Sequence, residues 1–296
     1  MTSNDYDFLR KLLKERSGLS LSADKHYLVE SRLLPVSRKA GLSGLAELVQ
    51  KLKGFNAERL TTEVVEAMTT NETFFFRDKI PFEHFRDFII PSLLAARSRH
   101  QRIRIWCAAA STGQEPYSLA MVLKEMEHQL DGRLVEILAT DISVEVLEKA
   151  KAGIYSQFEV QRGLPIQMLV KYFTKVGEMW QIAPAIRAMV QFRPFNLLHD
   201  FSRFGAFDFV MCRNVLIYLD QATKIEILNR ISRVIASDGY LVLGAAETVI
   251  GLTSNFRALP DKRGLYAPNN GAEADANAVL LNFPAPPRAV AVAGGA

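Results

Sequence analysis

Residues 102 to 141 read RIRIWCAAASTGQEPYSLAMVLKEMEHQLDGRLVEILATD, and this stretch decides the fold. It begins with a short apolar run (102–108), continues with a segment of helical periodicity (115–130) and ends with a second apolar run (135–141). Short apolar runs that alternate with helices are typical of βαβ units, in which the two strands are parallel. The stretch therefore predicts an α/β domain.

The same alternation continues along the chain. SVEVLEKAKAG predicts a helix, FDFVMCR (207–213) a strand, ATKIEILNRISRVIA a helix and YLVLGAAE (240–247) a strand. Between these segments, short runs around the turn Val176-Gly177-Glu178 predict an antiparallel β insertion at about 170–193. We therefore predict a Rossmann-like, mostly parallel sheet over residues 99–268, covered by helices on both faces.

The chain before this domain has a different pattern. Residues 1–75 show helical periodicity, with helix starts at Ser3 or Asn4, near Ala23, at Ser43 and at Asn56, and they predict an all-helical domain. Residues 76–98 form a linker and the first helix of the α/β domain. Residues 269–296 are rich in Ala, Gly and Pro without clear periodicity, which is typical of a disordered tail.

The composition excludes several classes of protein. The longest apolar runs are far shorter than the roughly 20 residues that a membrane-spanning helix needs, and the charged N-terminus lacks the apolar stretch of a secretory signal. Both cysteines, Cys107 and Cys212, lie in strand-like runs, so we expect reduced thiols and a cytoplasmic location. No Cys/His pair has the spacing of metal ligands, and we expect no metal.

The N-terminal domain is locally basic. From Phe8 to Lys53 there are ten Lys and Arg residues against four Asp and Glu residues. Such an excess would suit an acidic partner, but a solvated helical surface explains it equally well.

Polar residues follow the predicted strands at the edge where parallel sheets bind ligands. Gly113 lies in the loop after the first strand, Glu115 opens the next helix, and Asp141 ends the second strand. A glycine loop followed by an acidic residue is typical of a nucleoside site, in which the carboxylate accepts hydrogen bonds from the ribose hydroxyls. The loop has one glycine and no array of amides for a pyrophosphate, which favours a ligand without phosphates. An ordinary strand-to-helix turn is the alternative for either feature alone.

The third strand end adds further candidates. Arg213 and Asn214 follow the run FDFVMC directly, with Tyr218 after them, and Asn196 follows the run FRPF. These side chains are expected at the same edge of the sheet. The alternatives are a helix cap at Asn214, half-buried packing at Tyr218 and a turn at Asn196.

The run TTNETFFFRD (69–78) fits neither an amphipathic helix nor a half-buried strand. It lies where the helical domain meets the α/β domain. We interpret it as a junction whose phenylalanines anchor the chain in apolar surface.

Five motifs together resemble the chemotaxis receptor methyltransferases, the CheR family: TNETFFFRD, WCAAASTGQEPYSLA (106–120), ATDIS (139–143), FNLL (195–198) and CRNVLIYLD (212–220). The resemblance extends from residue 1 to about 267. It implies an S-adenosylmethionine-dependent enzyme that forms methyl esters on glutamates of the cytoplasmic helical domain of chemoreceptors. Nucleic acid is not an expected partner.

The resemblance also implies roles for individual residues. Side chains expected to contact the cofactor are Asn71, Thr73, Arg77, Glu115, Asp141 (ribose), Asn196 and Leu197 (adenine), and Cys212, Arg213 and Asn214 (floor). Arg77 and Tyr218 are implied to lie beside the transferred methyl group.

Two further expectations concern the partner. Arg32, Arg38 and Lys39 on the second predicted helix are candidates for docking the acidic receptor. The short turn around Val176-Gly177-Glu178 contrasts with the longer glycine-containing loop of relatives that bind a receptor pentapeptide, so we predict a pentapeptide-independent enzyme. A methyltransferase of the same fold acting on a small molecule or RNA, and a non-catalytic regulatory relative, are the alternatives.

Overall fold

The computed structural model describes residues 1–270. A helical domain comes first, and from Ile103 onward strands and helices alternate as predicted. The predicted tail lies outside the described residues from position 271 on.

Four helices form the N-terminal domain: α1 (Ser3–Ser17), α2 (His26–Lys39), α3 (Leu45–Lys53) and α4 (Glu58–Met68). Thr2, rather than the predicted Ser3 or Asn4, caps α1, and it forms a reciprocal capping box with Asp5. Helix α1 ends at Gly18, whose φ of +77° is in the left-handed region that glycine tolerates best.

The starts of α2, α3 and α4 each lie two or three residues after their predicted positions. Ser43 bonds the Glu47 carboxylate through both its amide and its hydroxyl, but the cap position is Gly44. Asn56 has a positive φ of 64°, so the helical conformation begins after it.

The segment predicted as one helix after the phenylalanines consists of α5 (Ile80–His84), a π-helical turn (Phe85–Ile89) and α6 (Ile90–Ala96). Pro91 has no N–H to donate to the carbonyl four residues earlier. One position before this proline, the Ile90 amide donates to the Phe85 carbonyl, five residues earlier. This five-residue hydrogen bond defines the π-helical turn.

The main sheet has seven strands: β1 (Ile103–Ala108), β2 (Val135–Asp141), β6 (Val190–Pro194), β7 (Phe207–Cys212), β8 (Ile235–Leu243), β9 (Phe256–Ala258) and β10 (Leu265–Pro268). Their order across the sheet is β6-β2-β1-β7-β8-β10-β9. The first five in spatial order pair in parallel, and β10 pairs antiparallel with β8 and β9. The predicted fold class is confirmed.

The helices of this domain are α7 (Gln114–Glu125), α8 (Glu127–Leu130), α9 (Val144–Ala152), α10 (Gln157–Gln161), α11 (Ile166–Tyr172), α12 (Pro184–Arg187) and α13 (Gln221–Val234). Two apolar clusters lie on opposite faces of the sheet, one built around Tyr117 and Phe209 and the other around Trp106 and Phe207. Strand β8 ends at Leu243 rather than at the predicted position 247, because the chain turns there and the Glu247 amide donates to the Gly244 carbonyl.

The antiparallel insertion is a separate three-stranded sheet, β3-β5-β4, with β3 (Ile154–Ser156), β4 (Phe173–Val176) and β5 (Met179–Ile182). Val176 pairs with Met179, so the predicted turn contains only Gly177 and Glu178. The predicted insertion span was wrong at its end, because β6 pairs in parallel with β2 in the main sheet. The three-residue strand β3 was not predicted.

The helical domain packs beside the carboxyl ends of the main strands. Leu19 forms an isolated antiparallel bridge with Leu219, and the Ser20 amide donates to the Tyr218 carbonyl at 2.9 Å. Lys14 forms an ion pair with Asp220 at 2.6 Å. These contacts place the end of α1 next to the segment that follows β7.

Residues 1–270 contain no helix with the length and apolar character needed to span a bilayer. Cys107 and Cys212 are free and buried, and burial raises the pKa of both thiols well above its ordinary value. Neither thiol is therefore ionised near neutral pH.

Candidate active site

A cavity of about 820 Å³, including its open mouth, lies at the carboxyl ends of β1, β2 and β7. Eight predicted site residues line it together: Asn71, Thr73, Arg77, Glu115, Asp141, Arg213, Asn214 and Tyr218. They come from the domain junction, the start of α7, the end of β2 and the segment after β7. The order of strands changes direction at β1, which is where an open parallel sheet provides a crevice.

Asp141 is held by the backbone around it. Its two carboxylate oxygens accept hydrogen bonds from the amides of Ser111 (2.8 Å) and Ser143 (3.0 Å). Burial raises the pKa of Asp141 above its ordinary value, against the opposing effect of these amides. Each oxygen keeps a further lone pair, so the fixed carboxylate can accept bonds from a ligand's hydroxyl groups.

Arg213 is the central cation of the cavity floor. Its side chain is 1% exposed and contacts Glu115 at 2.8 Å and Asp78 at 2.6 Å. It also donates to the Arg77 carbonyl at 3.1 Å. Burial raises the pKa of Glu115 above its ordinary value, and Arg213 opposes that rise. Arg213 thus connects the end of β7, the start of α7 and the domain junction.

The junction is anchored by its phenylalanines, as predicted. Phe75 and Phe76 are buried, and the Phe76 amide donates to the Ser118 hydroxyl at 3.0 Å. Phe74 is only half-buried and does not line the cavity. The guanidinium carbon of Arg77 lies 5.5 Å from the centre of its ring, and that of Arg162 lies 4.4 Å from it.

Arg77 is half-buried and lines the cavity. Within the described chain its guanidinium has one hydrogen-bond acceptor, the Glu72 carbonyl at 2.8 Å. The guanidinium has five N–H donors in all, so several remain available to a ligand.

Tyr218 ends a short 3₁₀ turn, Leu216–Tyr218, and also lines the cavity. Asn214 has a positive φ of 57°, which turns the chain sharply after Arg213. The amides of Asn214, Val215 and Ile217 all donate to the carboxylate of Glu247. This buried carboxylate was not recognised from the sequence, because it lies 30 to 33 positions further along the chain than the three amides.

Four predicted residues do not line this cavity: Asn196 and Leu197 line an adjoining one, and Gly113 and Cys212 line neither. Gly113 has a φ of +92°, and a Cβ there would lie 2.9 Å from the Ala150 side chain and 3.2 Å from Tyr117, so packing against α9 explains the glycine. Cys212 is fully buried at the end of β7. The cavity wall includes neither residue.

Asn196 and Leu197 line an adjoining cavity, which shares Ala109, Asp141 and Ile142 with the first. The Asn196 amide group donates to the Arg16 carbonyl at 2.7 Å, and its oxygen accepts from the Leu198 amide. Asn196 therefore joins α1 to the α/β domain, and this contact already uses part of its hydrogen-bonding capacity.

The three predicted docking residues differ in their surroundings. The Arg32 guanidinium donates to the carbonyls of Met68 and Thr69 and to the Thr70 hydroxyl, so it is engaged at the end of α4. Arg38 and Lys39 are exposed and make no ion pair within residues 1–270.

The structure adds cavity residues that were not predicted individually. The helical domain contributes Ser17, Leu19, Thr69 and Thr70. The loop after β1 contributes Ala109 and Ser111, two non-glycine residues with positive φ values of 60° and 49°. Such strained residues often occur at binding sites. Five of these residues lie inside quoted motifs, which gave a signal for them, and Ser17 and Leu19 lie in none. The five are Thr69 and Thr70 in TTNETFFFRD, Ala109 and Ser111 in WCAAASTGQEPYSLA, and Ile142 in ATDIS.

No cluster of three or more His, Cys, Asp or Glu side chains in residues 1–270 is arranged to hold a metal ion.

Family models and known proteins with similar sequences all indicate the same family. The profile of the family "CheR methyltransferase, SAM binding domain" matches residues 71–265, and that of "CheR methyltransferase, all-alpha domain" matches residues 4–69. Chemotaxis protein methyltransferase Cher2 of Pseudomonas putida is 41% identical over 265 residues, which cover 88% of this chain and 96% of the relative. Chemotaxis protein methyltransferase 1 of Pseudomonas aeruginosa is 42% identical with the same coverage.

Among solved structures, the plantazolicin methyltransferase BpumL in complex with SAH aligns with a TM-score of 0.32 at 12% identity. The alignment covers 73% of this chain and 61% of that chain. This similarity is too low to support an argument about the site.

Proposed function

The chain belongs to the CheR methyltransferase family, and we propose that it transfers the methyl group of S-adenosylmethionine to glutamate side chains of chemoreceptors, forming methyl esters. The observation that carries the proposal is one cavity lined by Arg77, Tyr218, Asp141 and Glu115, at the sheet edge where nucleosides bind. A cytoplasmic location is part of the proposal.

The residues of the cavity fit S-adenosylmethionine. Asp141 has a backbone-fixed carboxylate suited to a ribose diol, and Glu115 adds a second carboxylate for the α-ammonium group of the amino-acid end. Apolar side chains of Ile142, Val215 and Leu219 line both cavities and suit the flat adenine. No array of backbone amides for phosphate is required by this ligand.

The proposed reaction needs no general base. A glutamate carboxylate has an ordinary pKa near 4.3 and is therefore already ionised at pH 7. When bound, S-adenosylmethionine supplies an electrophilic methyl group on a sulfonium. What remains for the protein is to orient the incoming carboxylate in line with that group and to exclude water.

Arg77 and Tyr218 are suited to this positioning. Both line the cavity, Arg77 with several N–H donors that have no partner among residues 1–270 and Tyr218 with a phenolic hydroxyl. A guanidinium can bind a carboxylate through two parallel hydrogen bonds. Binding the ground-state carboxylate too tightly would slow transfer, so we assign orientation to both residues.

The proposal is tested by incubating the protein with methyl-labelled S-adenosylmethionine and chemoreceptor cytoplasmic fragments. Methyl esters hydrolyse in mild alkali and N-methyl groups do not, so base-labile release of the label is the expected result. RNA and a glutamate-to-glutamine receptor fragment serve as controls. Alkali-stable label, or label on RNA, would identify another substrate class, and cofactor binding without any transfer would identify a regulatory relative.

We propose that Arg38 and Lys39 assist docking of the acidic receptor helices. Their exposure and their lack of ion pairs within the described part of the chain support this, whereas Arg32 is engaged with the end of α4. Arg38→Glu/Lys39→Glu should raise the receptor KM about three- to tenfold, more so at low salt, with cofactor affinity unchanged. Arg99→Glu/Arg233→Glu, which makes the same charge change on the α/β domain, is the control. Equal KM values for both variants would favour the solvated-surface explanation.

We also propose that receptor recognition does not depend on a C-terminal pentapeptide. The two-residue turn Gly177-Glu178 between β4 and β5 supports this, because it offers no extended loop for a peptide. Receptor fragments with and without the pentapeptide should be methylated with kcat/KM values within about twofold, since no second binding event raises the local concentration. Binding of the free pentapeptide at micromolar concentration in calorimetry would refute it.

A further inference from the structure

We propose that Glu247 is a positioning residue for methyl transfer, which acts by holding the segment that carries Tyr218. The inference rests on the proposed function and adds a residue to it. Glu247 lies in the turn after β8 and is 9% exposed. Its carboxylate does not line the main cavity, so any effect on the reaction has to pass through other residues.

The Glu247 carboxylate accepts four backbone hydrogen bonds. Oε2 accepts from the amides of Asn214 (2.8 Å) and Gly244 (2.7 Å). Oε1 accepts from the amides of Val215 (3.0 Å) and Ile217 (3.2 Å). Three of these four donors belong to the segment between the end of β7 and Tyr218, and no other side chain of residues 1–270 bonds those three amides.

These bonds stabilise the backbone of the segment between β7 and α13. Asn214 is in the left-handed region and Ile217 lies within a single 3₁₀ turn, so neither belongs to a regular helix or strand. Oxygens that carry negative charge form stronger bonds to backbone N–H groups than neutral acceptors do. Glu247 therefore fixes the direction in which the turn presents Tyr218.

Gly244 supports the same assignment independently. A Cβ at this position would lie 2.7 Å from Glu247 Oε2, 2.9 Å from the Asn214 amide nitrogen and 2.9 Å from the Asn214 side-chain nitrogen. Any side chain there would displace the carboxylate or the segment. Only glycine therefore fits beside the bonded carboxylate.

The turn is held from its other side by the helical domain. The Tyr218 carbonyl accepts from the Ser20 amide at 2.9 Å, and Leu219 bridges to Leu19. Tyr218 is thus fixed between the β8 turn and the helical domain. Loosening the Glu247 side should misplace its hydroxyl without removing it.

The test is a double-mutant cycle on single-turnover methylation of receptor fragments, together with cofactor affinity by calorimetry. Glu247→Gln keeps the size of the side chain but directs an NH₂ group at two backbone donors. We expect it to lower kcat about tenfold with the Tyr218 hydroxyl present, but less than about twofold in the Tyr218→Phe background. The Kd for S-adenosylmethionine should change less than about threefold. A merely structural role would lower kcat equally in both backgrounds.

Gly244→Ala is the second variant, because it disturbs the carboxylate without removing it, and it should show the same dependence on Tyr218. Glu145→Gln, at an exposed position on α9, is the matched control and should match the wild type. Additive effects, an unchanged kcat in Glu247→Gln or Tyr218→Phe, or failure of both Glu247→Gln and Gly244→Ala to fold would overturn the inference. Absence of base-labile methylation by the wild type would instead refute the proposed function.

Discussion

Replacing Arg77 with alanine is expected to lower kcat for receptor methylation by at least about 100-fold while the protein remains folded. Arg77 is half-buried, and its single protein acceptor within the described chain is the Glu72 carbonyl, so the fold loses little with it. The reaction loses the donors that would align the incoming carboxylate. A misalignment of about 1 Å can cost a factor of about 100 in rate.

The contrast with Arg162 makes this prediction specific. Arg162 contacts the ring of Phe74, as Arg77 does, and pairs with Glu72 at 2.5 Å, but it does not line the cavity. Arg162→Ala should therefore reduce kcat less than about threefold. Arg77→Lys keeps the charge but loses the paired donors and should give an intermediate rate.

Single-turnover kinetics at saturating cofactor separate the chemical step from binding. Circular dichroism and melting temperature establish that each variant is folded. If Arg77→Ala methylates at the wild-type rate, Arg77 is a surface residue of the junction, and the assignment of an orienting role fails.

The sequence predicted the position of the site because its residues follow strands whose ends meet at one edge. Asp141 and Arg213 directly follow apolar runs, and in a parallel sheet such positions converge. Glu247 could not be predicted in this way. Its role depends on where its carboxylate lies in space relative to three amides of a distant segment.

Gly113 illustrates a different limit. The sequence shows that a glycine is present but not which atoms would meet its missing side chain. The neighbours prove to be Ala150 and Tyr117 rather than the cavity. A glycine required by packing inside the domain and a glycine required by close approach of a ligand look the same in a sequence.

The fold was predictable where elements were long. Strand β2 and helix α13 follow their patterns closely, because several turns or alternations specify them. The single helix predicted over 115–130 is instead interrupted at Met126 and forms α7 and α8. Strand β3 has only three residues. Strand β6 is separated from β5, the last strand of the insertion, by the four-residue helix α12 alone. Their pairing is decided by tertiary contacts that no local pattern contains.

A second large effect is expected at Arg213. Its guanidinium is almost fully buried between Glu115 and Asp78, whose side chains are 12% and 41% exposed. Arg213→Met preserves much of the volume but leaves the Glu115 carboxylate buried without a cation. Removing one partner of a buried ion pair costs about 3–5 kcal/mol. For a protein of this size that corresponds to a fall in Tm of roughly 10 °C.

The pH dependence identifies the cause of this loss. Burial already raises the pKa of Glu115 above its ordinary value, and Arg213 opposes that rise, so the substitution should raise the pKa further. A carboxyl group with a raised pKa in the folded state binds more protons there than in the unfolded state, so stability falls as pH increases through that interval. Arg213→Met should consequently be least stable at pH 8 and recover part of its Tm towards pH 5.

Two further variants test whether the unpaired Glu115 carboxylate causes the loss of stability. Arg213→Met/Glu115→Gln removes the buried charge and should regain a large part of the lost Tm at pH 8, with little remaining pH dependence. Arg102→Met breaks an exposed pair with Glu136 and should cost less than about 1 kcal/mol at either pH. Equal Tm losses at pH 5 and pH 8 for Arg213→Met would show that lost packing, rather than an unpaired Glu115 carboxylate, destabilises the variant. Arg213 would then act on stability as a packing residue of the cavity floor.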